Sequence, residues 1–146
     1  MRIVISSEPK LLHIVRGVVT YYARDAGFPE SDVQCLTMAV DEAAANVIRH
    51  AYGDRRDGKM ALEILRYTDR IEFVIEDRGP KIRSDAIRSR SLDDVRPGGL
   101  GTFFIKCFVD SSSYDETFAD GNRLRLVKYL PRKVSPSDES PSQKQK

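Results

Sequence analysis

The sequence predicts an α+β fold, a two-layer sandwich in which helices pack on one face of a mixed, mostly antiparallel sheet. Its apolar patterns follow the order strand, two helices, two strands, a polar segment, a helix and two strands. Short turns join the later strands in pairs, as in antiparallel hairpins. The 146 residues are enough for one domain with its own core. We place that domain at residues 1–130 and expect a disordered tail, rich in Pro, Ser, Gln and charge, at 131–146.

The first strand and helix are predicted from a short apolar run and a helical repeat. Residues 2–6 are the strand candidate, and Ser7 is expected to cap the helix that follows, with Pro9 in its opening turn. Gly27 is expected to end this helix. The predicted apolar stripe consists of Leu11, Val15, Val18 and Tyr22.

The second helix is expected to begin among the acidic residues at 30–32 and to end at Gly53. Glu42, Asn46 and His50 are spaced four residues apart, which would stack them on one helical face beside the buried stripe. That stripe is predicted to contain Val33, Leu36, Val40, Ala43 and Val47.

The second half of the chain predicts four strands and one helix. Residues 60–67 and 71–76 alternate apolar with polar side chains and should form a hairpin. Residues 80–97 are polar and rich in Arg and Ser, and such long segments in a compact domain are usually functional or mobile. A helix at 101–109 and strands at 112–118 and 123–129 complete the pattern.

The bulk composition argues against several functional classes. Residues 1–130 carry 20 basic and 20 acidic side chains, which does not resemble the basic surface of a nucleic-acid binder. No apolar run approaches the roughly 20 residues of a membrane span. The first residues do not resemble a secretion signal, so the cytoplasm is the expected location. Cys35 and Cys107 are far apart and are expected to be isolated thiols rather than ligands of a zinc site.

The 42–52 segment carries the most informative chemistry. Asn46 offers an uncharged oxygen suited to magnesium, whose remaining ligands can be waters and phosphates. Glu42 could accept a proton from a hydroxyl or water near a terminal phosphate. The alternatives are a solvated Asn and a surface Glu, which are the commoner roles of these residue types. Asp41 points about 100 degrees away from Glu42 on a helix.

Two glycine-bearing segments follow at a distance. Asp77 ends a strand and precedes Arg78 and Gly79, so its carboxylate could accept from an exocyclic amine such as that of adenine. The alternative is an ordinary turn aspartate beside glycine. The Gly98–Gly101 cluster precedes a helix, where backbone amides can approach phosphate. The alternative there is a flexible hinge.

Together these segments resemble the GHKL ATPase superfamily, and the helix pair before them is similar to the anti-sigma-factor serine/threonine kinases of that superfamily. The matching motifs are Glu-Ala-x2-Asn-x3-His-Ala-Tyr at 42–52, Asp-x-Gly at 77–79 and Gly-Gly-Leu-Gly at 98–101. They correspond to its N, G1 and G2 boxes. The resemblance covers about residues 1–130.

The resemblance implies a role for each matching residue. Asn46 would ligate Mg²⁺ between the phosphates of ATP, and Glu42 would be the catalytic base toward a serine or threonine hydroxyl. Asp77 would bind the adenine amino group while Gly79 makes room. Residues 80–101 would form a lid, with Gly99, Leu100 and Gly101 near the phosphates.

The resemblance also implies a biological role. The chain would be a bacterial anti-sigma factor that binds a sigma factor and phosphorylates a small antagonist protein in a partner-switching system. It would act without direct contact to nucleic acid or membrane, and homodimers are expected. One alternative is a regulatory module that binds ATP and sequesters a partner without phosphoryl transfer. The catalytic part of a histidine kinase is disfavoured because no dimerisation helices precede the domain.

Two positions depart from the family pattern. Lys81 replaces the second glycine of the G1 box, where it would either crowd the adenine pocket or reach toward a phosphate. Asn122 follows Gly121 where the family usually has threonine, and its amide would have to replace the hydroxyl as a hydrogen-bonding group.

Overall fold

A computed structural model describes residues 1–82 and 100–131. Most of the expected lid and nearly all of the expected tail, together with Gly99, therefore lie outside the described residues. Within the described ranges, no helix is both long and apolar enough to cross a membrane.

The order of elements matches the sequence prediction. The chain begins with strand β1 and a 3₁₀ turn, continues with helices α1 and α2 and a π-helical turn, and then forms strands β2 and β3. Helix α3 and strands β4 and β5 follow. The bounds are β1 Arg2–Ser6, the 3₁₀ turn Pro9–Leu11, α1 Leu12–Ala26, α2 Glu30–Asn46, the π-helical turn Val47–Ala51, β2 Lys59–Arg66, β3 Arg70–Asp77, α3 Leu100–Phe108, β4 Ser111–Tyr114 and β5 Asn122–Tyr129.

The five strands form one sheet in the order β1-β2-β3-β5-β4, and each neighbouring pair is antiparallel. The predicted α+β fold is therefore confirmed, and every described strand pairing is of the antiparallel kind that the prediction expected to dominate. Phe73 and Leu126 pair directly between β3 and β5 and are completely buried. They belong to the same core as Val19 and Leu36 of the helices, so the helices cover this face of the sheet.

The buried face of α1 differs slightly from the predicted stripe. Val15, Val19 and Ala23 are its buried residues, whereas Val18 and Tyr22 lie at the margin of the core. The i, i+4 spacing of three small residues lets α1 pack closely against α2. Gly27 ends the helix as predicted, with a left-handed φ of 93°.

Ser7 is not a helix cap, contrary to the prediction. It is completely buried, and its Oγ accepts a hydrogen bond from the Gly58 amide at 3.1 Å and donates to the Arg55 carbonyl. The 3₁₀ turn instead begins at Pro9 after an extended Glu8 whose side chain makes no capping bond. Ser7 therefore fastens the end of β1 to the turn before β2.

β4 is shorter than the predicted strand at 112–118. It ends at Tyr114 because the next residues form a local turn around Asp115. The Asp115 carboxylate accepts from both the amide and the hydroxyl of Thr117, at 3.0 and 2.6 Å. A side chain that bonds its own backbone two residues on is typical of turns.

Charged side chains cover part of the sheet face opposite the helices. Glu76 accepts hydrogen bonds from Arg2 at 2.6 Å and from Arg123 at 2.8 Å. The Arg2 bond, followed by the Arg123 bond, holds the pKa of Glu76 below its ordinary value against the opposing effect of partial burial.

Candidate functional site

The C-terminal end of α2 brings the oxygens of Glu42 and Asn46 together. One nitrogen of the Arg49 guanidinium donates to Glu42 Oε1 at 2.7 Å and to Asn46 Oδ1 at 2.9 Å. Both oxygens are thus close enough to share one cationic partner. The predicted placement of Glu42 and Asn46 on a common helical face agrees with this geometry.

His50 does not continue this face as the sequence suggested. The α-helix ends at Asn46, and Val47–Ala51 form a π-helical turn in which His50 is exposed. A π-helical turn inserts extra backbone, which rotates the following side chains away from a regular helical register. Arg49, rather than His50, is the residue that reaches back to the predicted pair.

Arg49 is not among the site residues predicted from the sequence. The spacing contains a signal for it, because residues 46 and 49 are three apart and residues 42 and 49 are two helical turns apart. Arginine is also well suited to such a position, since one guanidinium can donate to several oxygens at once.

Gly101 lies directly against Glu42. A β-carbon added at Gly101 would overlap the Glu42 carboxylate and would lie 2.7 Å from its Cγ. The first turn of α3 can approach α2 this closely only because residue 101 lacks a side chain. Gly101, one residue of the predicted phosphate-binding cluster, is therefore in contact with Glu42, the predicted base. Leu100 begins α3, and its side chain is not among those described.

Asp77 lies at the end of β3 and is 4% exposed. Its Oδ1 accepts hydrogen bonds from the Gly79 amide at 2.8 Å and from the Asn122 side chain at 3.0 Å. Burial raises the pKa of the Asp77 carboxyl above its ordinary value, and these hydrogen bonds counteract part of that rise. Both bonds end on Oδ1, so they fix the direction in which the carboxylate points.

Asn122 is a second residue beside the predicted site that the prediction did not include. It is almost completely buried, and it also donates to the Pro80 carbonyl at 2.9 Å and accepts from the Ile82 amide at 2.8 Å. Its amide therefore does supply hydrogen bonds at the position where the family usually has threonine. The departure from the family pattern was the signal that pointed to it.

Gly79 lies against the π-helical turn. A β-carbon at Gly79 would lie 2.7 Å from the Ala51 Cα and 2.8 Å from the Ala51 carbonyl oxygen. Gly79 is therefore needed for the segment after β3 to pass close to the end of α2. Through Ala51 and Gly79, the Asp77 end of the site is connected to the Glu42–Asn46 end.

Tyr52 strengthens the same connection. Its hydroxyl donates to the Lys59 carbonyl and accepts from the Arg78 amide at 2.9 Å. Its ring lies against Gly58, where an added β-carbon would be 2.5 Å from ring carbons. The end of the π-helical turn, the start of β2 and the residue after Asp77 are therefore held together by one side chain.

Lys81 bonds to the backbone of the protein itself. Its Nζ donates to the Phe118 carbonyl at 2.6 Å, in the turn between β4 and β5. The Phe118 ring also lies under the Arg123 guanidinium, 4.1 Å from its ring centre. The positive charge of Lys81 is thus used to attach the segment after Asp77 to this turn.

The predicted residues fit a nucleotide with a hard cation. Carboxylate and amide oxygens are ligands that magnesium accepts, and Glu42 and Asn46 already converge on a cation, the Arg49 guanidinium. Asp77 offers an oriented, buried acceptor at the other end. Gly99 lies outside the described residues, so its predicted contact with phosphate is not part of this geometry.

Residues 5–128 match a family model described as the histidine kinase-like ATPase domain. A relative from Halalkalibacterium halodurans is 31% identical over 136 residues, covering 88% of this chain and 82% of the relative. Relatives from Bacillus velezensis and Bacillus subtilis are 28% and 24% identical over 134 residues, each covering 86% of this chain and 82% of the relative.

All three relatives are named serine-protein kinase RsbW. Their shared name supports the enzyme class predicted from the sequence, a protein serine/threonine kinase. The family match spans both ends of the site, from the Glu42–Asn46 pair to the Asp77–Asn122 pair. It confirms the resemblance on which the use of ATP was predicted, and it shows that this chain belongs to the histidine kinase-like ATPase domain family.

Proposed function

We propose that this chain is an ATP-dependent serine/threonine protein kinase that acts as a bacterial anti-sigma factor. It would bind a sigma factor and would phosphorylate a small antagonist protein in a partner-switching system. The observation that carries this proposal is the convergence of Glu42 and Asn46 beside the backbone of Gly101. The names of the relatives support the same reaction class.

Asp77 would recognise the base of ATP. A buried carboxylate with Oδ1 already satisfied by Gly79 and Asn122 can use its remaining acceptor capacity for the exocyclic amine of adenine. A base that presents a carbonyl oxygen at that position would face the carboxylate with another acceptor and would be rejected. The site would therefore favour adenine over guanine.

Asn46 would hold the metal at the phosphate end. When bound, magnesium would neutralise the charge of the phosphates and orient them for transfer. The amide oxygen of Asn46 is the expected protein ligand because it is uncharged and faces the same space as Glu42. Gly99, Leu100 and Gly101 are proposed to contribute backbone amides toward the phosphates.

Glu42 would act as the base toward the protein substrate. It would accept the proton of a serine or threonine hydroxyl as that oxygen forms a bond to the γ-phosphorus. The bond between the γ-phosphorus and the oxygen that remains on ADP would break in the same displacement. The new phosphate adds about −1.5 to −2 charges to the antagonist, which can disrupt its interface with the kinase.

The main alternative is a regulatory module that binds ATP but transfers no phosphate. Lys81 was the sequence feature that favoured it, through crowding of the adenine pocket. In the structure Lys81 is directed to the Phe118 carbonyl instead. The two functions are therefore separated by experiment.

Label transfer from radioactive ATP to a purified candidate antagonist protein tests the proposal. We expect transfer in the wild type and a loss of about 100-fold or more in Glu42→Gln, because general bases typically contribute that much. Asp41→Asn is the matched control, since Asp41 pairs with Arg16 at 3.0 Å on another side of α2. Its transfer rate should stay close to that of the wild type.

Nucleotide binding separates the two functions. Calorimetry should detect ADP binding to Glu42→Gln at nearly wild-type affinity, whereas Asn46→Ala should lose most of the magnesium dependence of binding. Binding without any transfer by the wild type would support the regulatory module. An absence of ADP and ATP binding by the wild type at saturating magnesium would refute both functions.

Several further properties stay proposals of the same kind. We propose one domain at residues 1–130, a homodimer and a cytoplasmic location, all as expected from the sequence and the family resemblance. Light scattering coupled to size-exclusion chromatography would test the dimer, since a monomeric mass at micromolar concentration would contradict it.

A further inference from the structure

Arg49 holds the two residues on which the proposed reaction depends. A single guanidinium nitrogen lies within hydrogen-bonding distance of Glu42 Oε1 and of Asn46 Oδ1. The Arg49 side chain is 47% exposed and that of Glu42 is 31% exposed. The guanidinium is therefore close to solvent and is not enclosed by the fold.

A metal ion and Arg49 would compete for the same oxygen. Magnesium binds its oxygen ligands at about 2.1 Å. A guanidinium nitrogen at hydrogen-bonding distance from that same oxygen would place two cationic groups next to each other, which is electrostatically unfavourable. The Arg49–Asn46 hydrogen bond and a metal at Asn46 are thus mutually exclusive arrangements.

We propose that Arg49 is an internal cation that occupies the space between Glu42 and Asn46 in the nucleotide-free chain and must leave before a metal-bound nucleotide can bind. The proposal deepens the proposed function and rests on it, because it assumes that Asn46 receives the metal. Arg49 keeps the two oxygens converged while no nucleotide is present. Its departure frees Glu42 and Asn46 together.

The displacement should cost little. Ion pairs between partly exposed side chains contribute only a small amount of free energy, because water and salt screen them. Removing the competing charge should therefore tighten the binding of Mg·ADP by about two- to fivefold. Binding of ADP without metal does not require Asn46 and should not tighten.

Calorimetry with ADP in the presence of excess magnesium, and separately in EDTA, tests the proposal on Arg49→Gln. Arg16→Gln is the matched control, because Arg16 is 48% exposed and its guanidinium in α1 pairs with Asp41 of α2. We expect tighter Mg·ADP binding for Arg49→Gln only. Thermal unfolding should show that both variants fold, since both side chains lie near the surface.

Each result of this experiment decides the proposal. Unchanged or weaker Mg·ADP binding by Arg49→Gln would overturn it, and weaker binding would identify Arg49 as a phosphate contact. An equal gain in Arg16→Gln would also overturn it, since the effect would then come from net charge. If neither the wild type nor Arg49→Gln binds ADP, the proposed function fails together with the Arg49 proposal. If both bind ADP but Arg49→Gln binds Mg·ADP no more tightly, only the Arg49 proposal fails.

A second measurement follows Arg49 itself in the wild type. Nuclear magnetic resonance of the Arg49 side-chain nitrogens should show a change on addition of Mg·ADP that ADP in EDTA does not produce. A signal that stays the same at saturating Mg·ADP would mean that Arg49 keeps its partners, and the proposal would be wrong.

Discussion

Substitution of Gly101 by alanine tests the close packing between α3 and the proposed base. The new β-carbon would lie 2.7 Å from the Glu42 Cγ and would overlap its carboxylate. Ordinary van der Waals contact begins near 3.4 Å, so the Glu42 Cγ must move by about 0.7 Å and its carboxylate by more. The hydrogen bond between Arg49 and Glu42 would be lost or rearranged in the same step.

The expected result is a large loss of phosphoryl transfer without a loss of stability. Displacement of a catalytic group by about 1 Å can cost roughly 100-fold in rate. Alanine also favours a helix over glycine by about 1 kcal/mol, so this intrinsic preference opposes any destabilisation caused by the displaced side chain. We therefore expect a transfer rate reduced about 100-fold in the labelling assay, together with a urea midpoint close to that of the wild type.

Gly17→Ala is the matched control for Gly101→Ala. Gly17 is a residue of α1, and no atom of the described residues lies within 4 Å of an added β-carbon there, so this variant should be more stable and fully active. A Gly101→Ala variant whose transfer rate stays within threefold of the wild type would show that the position of Glu42 does not matter. The assignment of Glu42 as base would then be wrong.

Three further predictions follow from the Asp77 end of the site and from the sheet. Asn122→Ala should lower the free energy of unfolding by about 2 kcal/mol, because it leaves buried polar groups unpaired, and urea titration would measure this. Burial raises the pKa of Asp77, and a protonated carboxyl is a weaker hydrogen-bond acceptor for the adenine amine. As the pH is lowered, ADP affinity should therefore begin to fall at a higher pH than it would if Asp77 had the ordinary aspartate pKa. Protonation of Asp77 favours the folded state, because the pKa of Asp77 is higher in the folded than in the unfolded chain. Calorimetry should therefore detect the loss of ADP affinity while the protein is still folded. Glu76 behaves oppositely: its lowered pKa stabilises the fold above the ordinary glutamate pKa, and this contribution is lost as pH falls through the folded value. Glu76→Gln should therefore show a flatter dependence of stability on pH below about 4.5.

The fold was accessible from the sequence because its signals are local. Alternation of apolar residues at 71–76 indicates a strand whatever its neighbours are, and Gly27 ends a helix through its own backbone conformation. The same alternation predicts which face of the sheet packs against the helices. These features do not depend on partners elsewhere in the chain.

The missed features depend on distant partners. The hydroxyl of Ser7 bonds to Gly58, 51 residues later, and Lys81 bonds to Phe118, 37 residues later, and no local pattern predicts either contact. Arg49 was missed for another reason. The four-residue spacing singled out His50, whereas the chain forms a π-helical turn after Asn46 and Arg49 is the residue that bonds to Glu42 and Asn46.

The contact between Tyr52 and Gly58 restricts how this sequence can diverge. Any side chain at position 58 collides with the aromatic ring, and removal of the ring takes away the hydroxyl that serves Lys59 and Arg78. The two positions are therefore open to change only in a fixed order, with loss of the ring first. A side chain at position 58 should therefore occur only in relatives that have already lost the aromatic ring at position 52.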